Sequence, residues 1–182
     1  MELAMELREC NPAQRLIIGC VAPYDEISYL TPDPNGERIR CGAFARSIAH
    51  RAAKIPLLRA HQTAMRYGMS RAFTEDASGL IGEFVVYDGE HGDQLLEECR
   101  TGYLGAMSAG WLPLDARRGP DGVREITEAK LVEASLLGLG AYDGASMLAV
   151  RSAERLDDLL APFRARPDVN LDPIPPLTYR HH

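Results

Sequence analysis

The 182-residue chain lacks the features of a membrane, secreted or general nucleic-acid-binding protein. No apolar run approaches the roughly 18 to 20 residues that a membrane span needs. The opening Met1-Glu-Leu-Ala-Met-Glu is acidic, which is unlike a secretory signal. The formal net charge of −6 is opposite in sign to the basic face by which proteins usually bind nucleic acid. We therefore expect a soluble, intracellular protein with neither a membrane nor a nucleic acid as partner.

Paired cysteines are also lacking. The four cysteines are widely spaced and form no C-x-x-C pair, unlike the ligands of a zinc site or the framework of a disulfide-rich domain. Cys20 and Cys41 adjoin apolar residues, where a free thiol packs as a small hydrophobic group. This pattern favours cysteines with a structural role, and a cysteine nucleophile stays open as the alternative.

The residues that are present suit one folded domain. Hydrophobic residues make up 46% of the chain and charged residues 25%, as in ordinary globular proteins. Polar turns separate short apolar segments, and the turn at 74–79 predicts a hairpin between strands at 67–73 and 80–87. The pattern as a whole predicts an α+β, barrel-like domain. The other predicted strands are 15–21, 37–41, 54–61, 104–114, 123–137 and 146–150, and the predicted helices are 42–48, 93–102 and 154–163.

The two ends of the chain lack such periodicity. Residues 1–12 carry little pattern and predict a frayed start or an arm that contacts a partner. Residues 164–182 contain four prolines and predict an extended or disordered tail. The terminal His181-His182 is compatible with a native end or with a remnant of cloning.

Ser108 is the first candidate for chemistry. It stands in Gly105-Ala-Met-Ser-Ala-Gly-Trp111, where the small neighbours Ala109 and Gly110 leave room for a substrate backbone. A serine hydroxyl is a weak nucleophile that needs an adjacent base, and the base needs a third group to orient it. Serines are common, so Ser108 carries weight only if such partners exist.

His61 and Glu133 are the candidate partners. Of five histidines, only His61 closes an apolar segment, Ile55-Pro-Leu-Leu, although a lone histidine at a strand end is more often structural than catalytic. Glu133 interrupts an apolar strand, and a buried carboxylate needs a hydrogen-bonding or charged partner. His61 could be that partner. Alternatively, Glu133 faces solvent at a strand edge or pairs with an arginine.

Three motif blocks follow one another along residues 15–150, and together they are more specific than any one of them. The first block runs from Gly42-Ala-Phe-Ala-Arg-Ser-Ile through Ile55-Pro-Leu-Leu-Arg-Ala-His61 to Tyr67-Gly68. The second begins at Glu75-Asp-Ala-Ser-Gly-Leu80 and ends in Ser108-Ala-Gly-Trp111. The third is Ile126-Thr-Glu-Ala-Lys-Leu-Val-Glu-Ala-Ser-Leu-Leu137.

In order and spacing, these blocks resemble the prohead maturation proteases of tailed phages of the HK97-like kind. The resemblance implies a serine endopeptidase with Ser108 as nucleophile and His61 as general base. It also implies the fold of the herpesvirus assemblins, a small, mainly antiparallel β-barrel surrounded by short helices. In the assemblins a second histidine is the third catalytic residue, whereas here the matching strand offers Glu133, with Ser135 as a possible hydrogen-bond donor behind it. The family's oxyanion-stabilising loop corresponds to Gly140 and Ala141.

The resemblance also implies a domain organisation and a place of action. Residues 1–14 would be an N-terminal arm, 15–163 the protease domain and 164–182 a flexible, Pro-rich tail that is a candidate for self-cleavage. The implied substrate is the major capsid protein or a separate scaffold protein, cut inside the assembling prohead in the host cytoplasm. The assemblin relatives suggest a homodimer, and no metal or organic cofactor is expected. The alternatives are a non-catalytic capsid-assembly or scaffold-binding protein that keeps the fold, and a generic β-rich binding domain.

Overall fold

The computed structural model describes residues 7–29, 31, 33–76 and 79–138, which form one eight-stranded sheet with two α-helices. A short 3-10 helix at Pro12–Gln14 joins the first two strands. The strands are β1 (Leu7–Asn11), β2 (Leu16–Pro23), β3 (Glu37–Ile39), β4 (Pro56–Arg59), β5 (Gly68–Asp76), β6 (Gly79–Val86), β7 (Leu104–Arg118) and β8 (Arg124–Gly138), and the helices are α1 (Ala45–Arg51) and α2 (Glu90–Arg100).

One half of the sheet is a run of antiparallel strands in the order β1-β2-β6-β5. The hairpin predicted around residues 74–79 is present as the β5–β6 pair. β2 is almost wholly buried, and its Ile17 and Val21 belong to the same apolar core as Phe84 and Val86 of β6. The apolar side chains of β2 and β6 in this half share one core with those of β7 and β8.

β8 organises the other half of the sheet. Along one edge it pairs antiparallel with β7, and along the other it pairs in parallel with β3 at its start and with β4 near its end. The sheet curls into a half-barrel, and β7 also packs against β2 across the core. The described part of the chain is therefore mostly β with two helices, which agrees with the predicted barrel-like domain, although its sheet is a half-barrel.

α1 fills the edge of β8 between β3 and β4. The backbone N–H of Leu131 donates to Ser47 Oγ at 2.9 Å, and the Leu131 carbonyl accepts from the Arg51 guanidinium at 2.9 Å. Ser47 and Arg51 are both buried. These two side chains take the place of a neighbouring strand, because a buried backbone donor or acceptor needs a partner.

The sequence predicted which helices and strands are present more reliably than the residues at which they begin and end. Helix α2 buries Leu95, Leu96 and Cys99 as predicted, but it begins at Glu90 instead of residue 93. β7 and β8 are each 15 residues long, and β7 continues to Arg118, into the polar segment 115–122 that the sequence predicts as a turn. β1 is the element that the sequence did not reveal, and it lies within the stretch interpreted as an arm.

Several predicted segments lie outside the described residues. These are the strand at 146–150, the helix at 154–163 and the Pro-rich tail at 164–182. In the part of the chain that the structure covers, no helix is long and apolar enough to cross a membrane.

The contact between α1 and β8 yields a stability prediction. Ser47→Ala leaves the buried N–H of Leu131 without an acceptor, so we expect a loss of about 1–3 kcal/mol in the free energy of unfolding. Arg46→Ala on the same helix removes a half-buried ion pair with Glu128 and should cost less than about 1 kcal/mol. Urea denaturation of both variants checks this, and equal losses would contradict the role of Ser47.

Candidate active site

A β-bulge in β8 determines which side chains face the candidate site. Trp111 of β7 pairs with Leu131, whereas the adjacent Gly110 pairs with Glu133, so Val132 has no partner of its own. Leu131 before the bulge and Ala134 after it both belong to the apolar core. Because side chains alternate along a strand, the extra residue turns Glu133 to the face away from the core.

Ser108 of β7 lies on that same face. Its neighbours Met107 and Ala109 point into the core, so the Ser108 side chain points the other way. Ser108 pairs directly with Ser135 of β8, and such opposed residues have Cβ atoms about 4.5–5.5 Å apart. The register therefore places Ser108, Glu133 and Ser135 together on one face, and all three are buried.

His61 reaches this face through a tight turn at the end of β4. The Gln62 N–H donates to the Arg59 carbonyl at 3.0 Å, and both central residues have positive φ, 48° at Ala60 and 58° at His61. This left-handed conformation is uncommon for residues other than glycine, although histidine adopts it more often than alanine does, and it costs on the order of 1 kcal/mol or more per residue. Contacts with β8 offset that cost. The Ala60 N–H donates to the Leu136 carbonyl, and the His61 N–H donates to Ser135 Oγ at 3.0 Å.

The Glu133 carboxylate links β8 to the turn that carries His61. Oε1 lies 2.7 Å from His61 Nδ1, and Oε2 accepts a hydrogen bond of 2.7 Å from Ser135 Oγ. An ionised carboxylate can only accept, so this contact holds the proton of a neutral imidazole on Nδ1. His61 Nε2 then carries the lone pair, which is the form that a general base requires.

His61 Nε2 is buried and forms no hydrogen bond with Ser108 or with any other residue in the described ranges. A buried polar nitrogen without a partner is unusual, and each such atom calls for an explanation. Catalytic hydrogen bonds are often long or misaligned in the absence of substrate and tighten only in the complex. The unpartnered nitrogen is therefore compatible with the predicted role of His61 as general base for Ser108, and no hydrogen bond between the two residues is formed here.

The structure decides between the alternatives that the sequence left open for Glu133. This residue is only 2% exposed, so it does not face solvent at a strand edge, and its carboxylate contacts His61 instead of an arginine. His50 and His91 lie in α1 and α2, away from these contacts. Gly140 and Ala141, the predicted oxyanion loop, lie outside the described residues.

Three of the four cysteines are unsuited to act as a nucleophile, whereas Cys41 is exposed and does not pack as the small hydrophobic group that the sequence predicted. Cys20 and Cys99 are buried, Cys10 is half-buried and Cys41 is exposed. Burial raises the pKa of Cys10 and Cys20, and it raises the pKa of Cys99 to about 12, so these three thiols resist ionisation. No group of three or more His, Cys, Asp or Glu residues within the described ranges could hold a metal ion.

Sequence reasoning proposed the side chains of the candidate site but not the backbone features that bring them together. The bulge at Val132 has a signal that could have been used. The apolar residues Ala129 and Leu131 are two apart, as are Ala134 and Leu136, but the two pairs are out of step by one position. The turn at Ala60 and His61 leaves no such trace, since neither residue type favours positive φ.

Comparisons with known proteins identify a matching family and a solved structure with a similar fold. A family model described as "Caudovirus prohead serine protease" matches residues 2–158. Among solved structures, the chain is similar to the bacteriophage T4 capsid assembly protease gp21, with a TM-score of 0.51 and 15% sequence identity. That match covers 67% of this chain and 80% of the T4 protein, and at this identity it shows a common fold. No curated protein sequence matches the chain.

The strained turn yields a second stability prediction. Ala60→Gly removes the steric cost of positive φ, so we expect it to stabilise the protein by up to about 1 kcal/mol. Ala49→Gly, at an exposed position in α1, is the matched control and should destabilise by about 1 kcal/mol. Thermal unfolding of the two variants provides the measurement, and a loss of stability in both would show that Ala60 is not strained.

Proposed function

The chain belongs to the caudovirus prohead serine protease family, and from this premise we propose that it is a serine endopeptidase with a Ser–His–Glu site. The observation that carries the proposal is the buried contact of 2.7 Å between His61 Nδ1 and Glu133 Oε1, on the sheet face to which Ser108 also points. A carboxylate that orients an imidazole beside a serine is the arrangement by which serine proteases activate their nucleophile.

The proposed mechanism is acyl transfer in two steps. His61 Nε2 takes the proton of Ser108 as Oγ attacks the carbonyl carbon of the scissile bond, and the tetrahedral oxyanion forms. The imidazolium then gives its proton to the departing amine, which leaves an acyl-enzyme. A water molecule, deprotonated by His61, attacks that ester and releases the second product and free Ser108. Glu133 holds the imidazole orientation and stabilises its positive charge throughout.

The oxyanion needs donors at the point where charge develops. We assign this role to backbone N–H groups of Gly140 and Ala141, which follow β8 in the sequence, as the family resemblance implies. Removing one such donor typically costs about 3–4 kcal/mol of transition-state stabilisation. The two residues lie outside the described ranges, so this assignment rests on their place in the sequence.

The proposed substrate is the major capsid protein, through its scaffold region, or a separate scaffold protein. The family acts on proheads, and the T4 structural neighbour is a capsid assembly protease. We place the reaction inside the assembling prohead in the host cytoplasm. We further propose that the protein cleaves itself in the Pro-rich segment 164–182 and that it acts as a homodimer. We also propose that its fold is shared with the herpesvirus assemblins.

A non-catalytic capsid-assembly or scaffold-binding protein with the same fold is the second candidate. The missing hydrogen bond between His61 Nε2 and Ser108 is the observation in its favour. Against it stands the cost of burying a carboxylate and an imidazole together with a backbone turn of positive φ. A protein that only binds a scaffold has no need for this combination.

Removal of the Ser108 hydroxyl tests the proposal directly. Ser108→Ala should fold normally and abolish cleavage of co-expressed capsid protein, because it removes the oxygen that we propose as the nucleophile. Thr127→Ala, which deletes a hydroxyl on β8 that contacts Asp115, is the control and should cut as the parent does. Mass spectrometry of the capsid protein gives the readout. Cleavage that persists in Ser108→Ala would show that Ser108 is not the nucleophile.

Ser135 provides a separate prediction. Ser135→Ala removes the acceptor for the His61 N–H and the donor to Glu133, so the turn and the carboxylate both lose a contact. A hydrogen bond to a charged group is worth about 1.5–3 kcal/mol, so we expect acylation of Ser108 to slow by about 10- to 100-fold. Labelling with a fluorophosphonate measures that rate.

The control for Ser135 is another buried serine with two hydrogen bonds. Ser70 Oγ accepts from the Ile55 N–H and donates to the Ala52 carbonyl, and neither contact involves the candidate site. Ser70→Ala should lose a similar amount of stability and keep the acylation rate of the parent. If the two variants slow acylation equally, Ser135 acts only through stability.

A further inference from the structure

Gly110 stands directly opposite Glu133 in the β7–β8 pair, and the carboxylate occupies the space that a side chain at position 110 would need. A Cβ atom on Gly110 would lie 2.2 Å from Glu133 Oε1 and 2.9 Å from both Cδ and Cγ. Non-bonded heavy atoms normally rest about 3.5–4.0 Å apart. The carboxylate can keep its position only if residue 110 has no side chain.

The backbone does not explain the glycine. Gly110 is absent from the residues with positive φ, so an L-amino acid could adopt its conformation. Glycine inside a strand lowers stability, and it often marks a site where another group approaches closely. Here the approaching group is a side chain, because all three of the nearest atoms belong to Glu133.

The predicted clash falls on the atom that orients His61. Oε1, which would be the closest atom to the new Cβ, is the oxygen that contacts His61 Nδ1 at 2.7 Å. A carboxylate at the end of a flexible side chain can move away at moderate cost to the fold. The damage from a side chain at position 110 would therefore be concentrated in the contact between Glu133 and His61.

We propose that Gly110 is a positioning residue, whose missing side chain reserves the space in which the Glu133 carboxylate holds His61. The inference rests on the proposed function only in giving that contact a role in catalysis. It assigns to the glycine of the Ser108-Ala-Gly-Trp111 segment a task of its own, distinct from leaving room for a substrate backbone.

Four versions of the full chain test the proposal: the parent, Gly110→Ala, Glu133→Ala and the double variant. Nitrogen-15 NMR of the His61 imidazole, assigned with His61→Gln, reports which ring nitrogen carries the proton. Fluorophosphonate labelling reports the acylation rate of Ser108, and circular dichroism reports the fold. The NMR readout does not depend on activity, so it decides the proposal even if Ser108 in the parent is never acylated and the proposed function fails.

We expect Gly110→Ala to fold, to lose the preference for the proton on Nδ1 as Glu133→Ala does, and to acylate at least about 100-fold more slowly than the parent. Adding Gly110→Ala to Glu133→Ala should change the rate by less than about 3-fold, because the clashing group is already gone. Gly138→Ala is the matched control. Among the described residues its Cβ would meet only the Tyr103 carbonyl at 3.5 Å, an ordinary contact, so fold, tautomer and rate should stay as in the parent.

Two results would overturn the proposal. One is a Gly110→Ala protein with the tautomer and rate of the parent. The other is an equal loss of rate on both backgrounds, which would mean that the glycine acts independently of Glu133. If Gly110→Ala does not fold but the double variant does, the carboxylate is the obstacle and the proposal holds. If neither folds, the glycine serves the backbone and the proposal fails.

Discussion

The buried carboxylate of Glu133 is the group on which the arrangement of the site depends. Removing a carboxylate from water is costly unless hydrogen bonds compensate it, and Glu133 is 2% exposed. Each neighbouring feature meets part of that cost or makes the position possible. The bulge at Val132 turns the side chain away from the core, Gly110 leaves space for it, and Ser135 and His61 hydrogen-bond to its two oxygens.

A second buried carboxylate on β8 differs from that of Glu133 in the kind of side chain with which it pairs. Glu125 is 5% exposed and is held by the guanidinium groups of Arg38 and Arg117, at 3.2 and 2.9 Å. Arginine stays charged at all physiological pH values, so that cluster is a permanent ion-pair network. The partner of Glu133 is instead a histidine, the side chain best suited to accept and release a proton near neutral pH. The same strand therefore carries a carboxylate paired with arginines at its start and one paired with a histidine near its end.

The rigidity of the site follows from the position of β8 in the sheet. This strand is held by β7 on one edge and by β3, α1 and β4 on the other, so its backbone has little freedom. Ser108, Glu133 and Ser135 all stand on β7 or β8, and His61 is fixed to β8 by two backbone hydrogen bonds from its turn. Sites built on paired strands hold their geometry better than sites built on loops.

The sequence by itself determined the family and the candidates for the site. The order of three motifs pointed to Ser108, His61 and Glu133, since residue types and spacing survive in a linear pattern. The hairpin at β5–β6 and the buried face of α2 were predictable for the same reason, because local periodicity reports burial. Only the tertiary structure decided that Glu133 contacts His61, since 72 residues separate them along the chain. It also decided the face on which Glu133 lies and the space it occupies, because a bulge, a left-handed turn and a missing Cβ depend on contacts between strands that no single stretch of sequence contains.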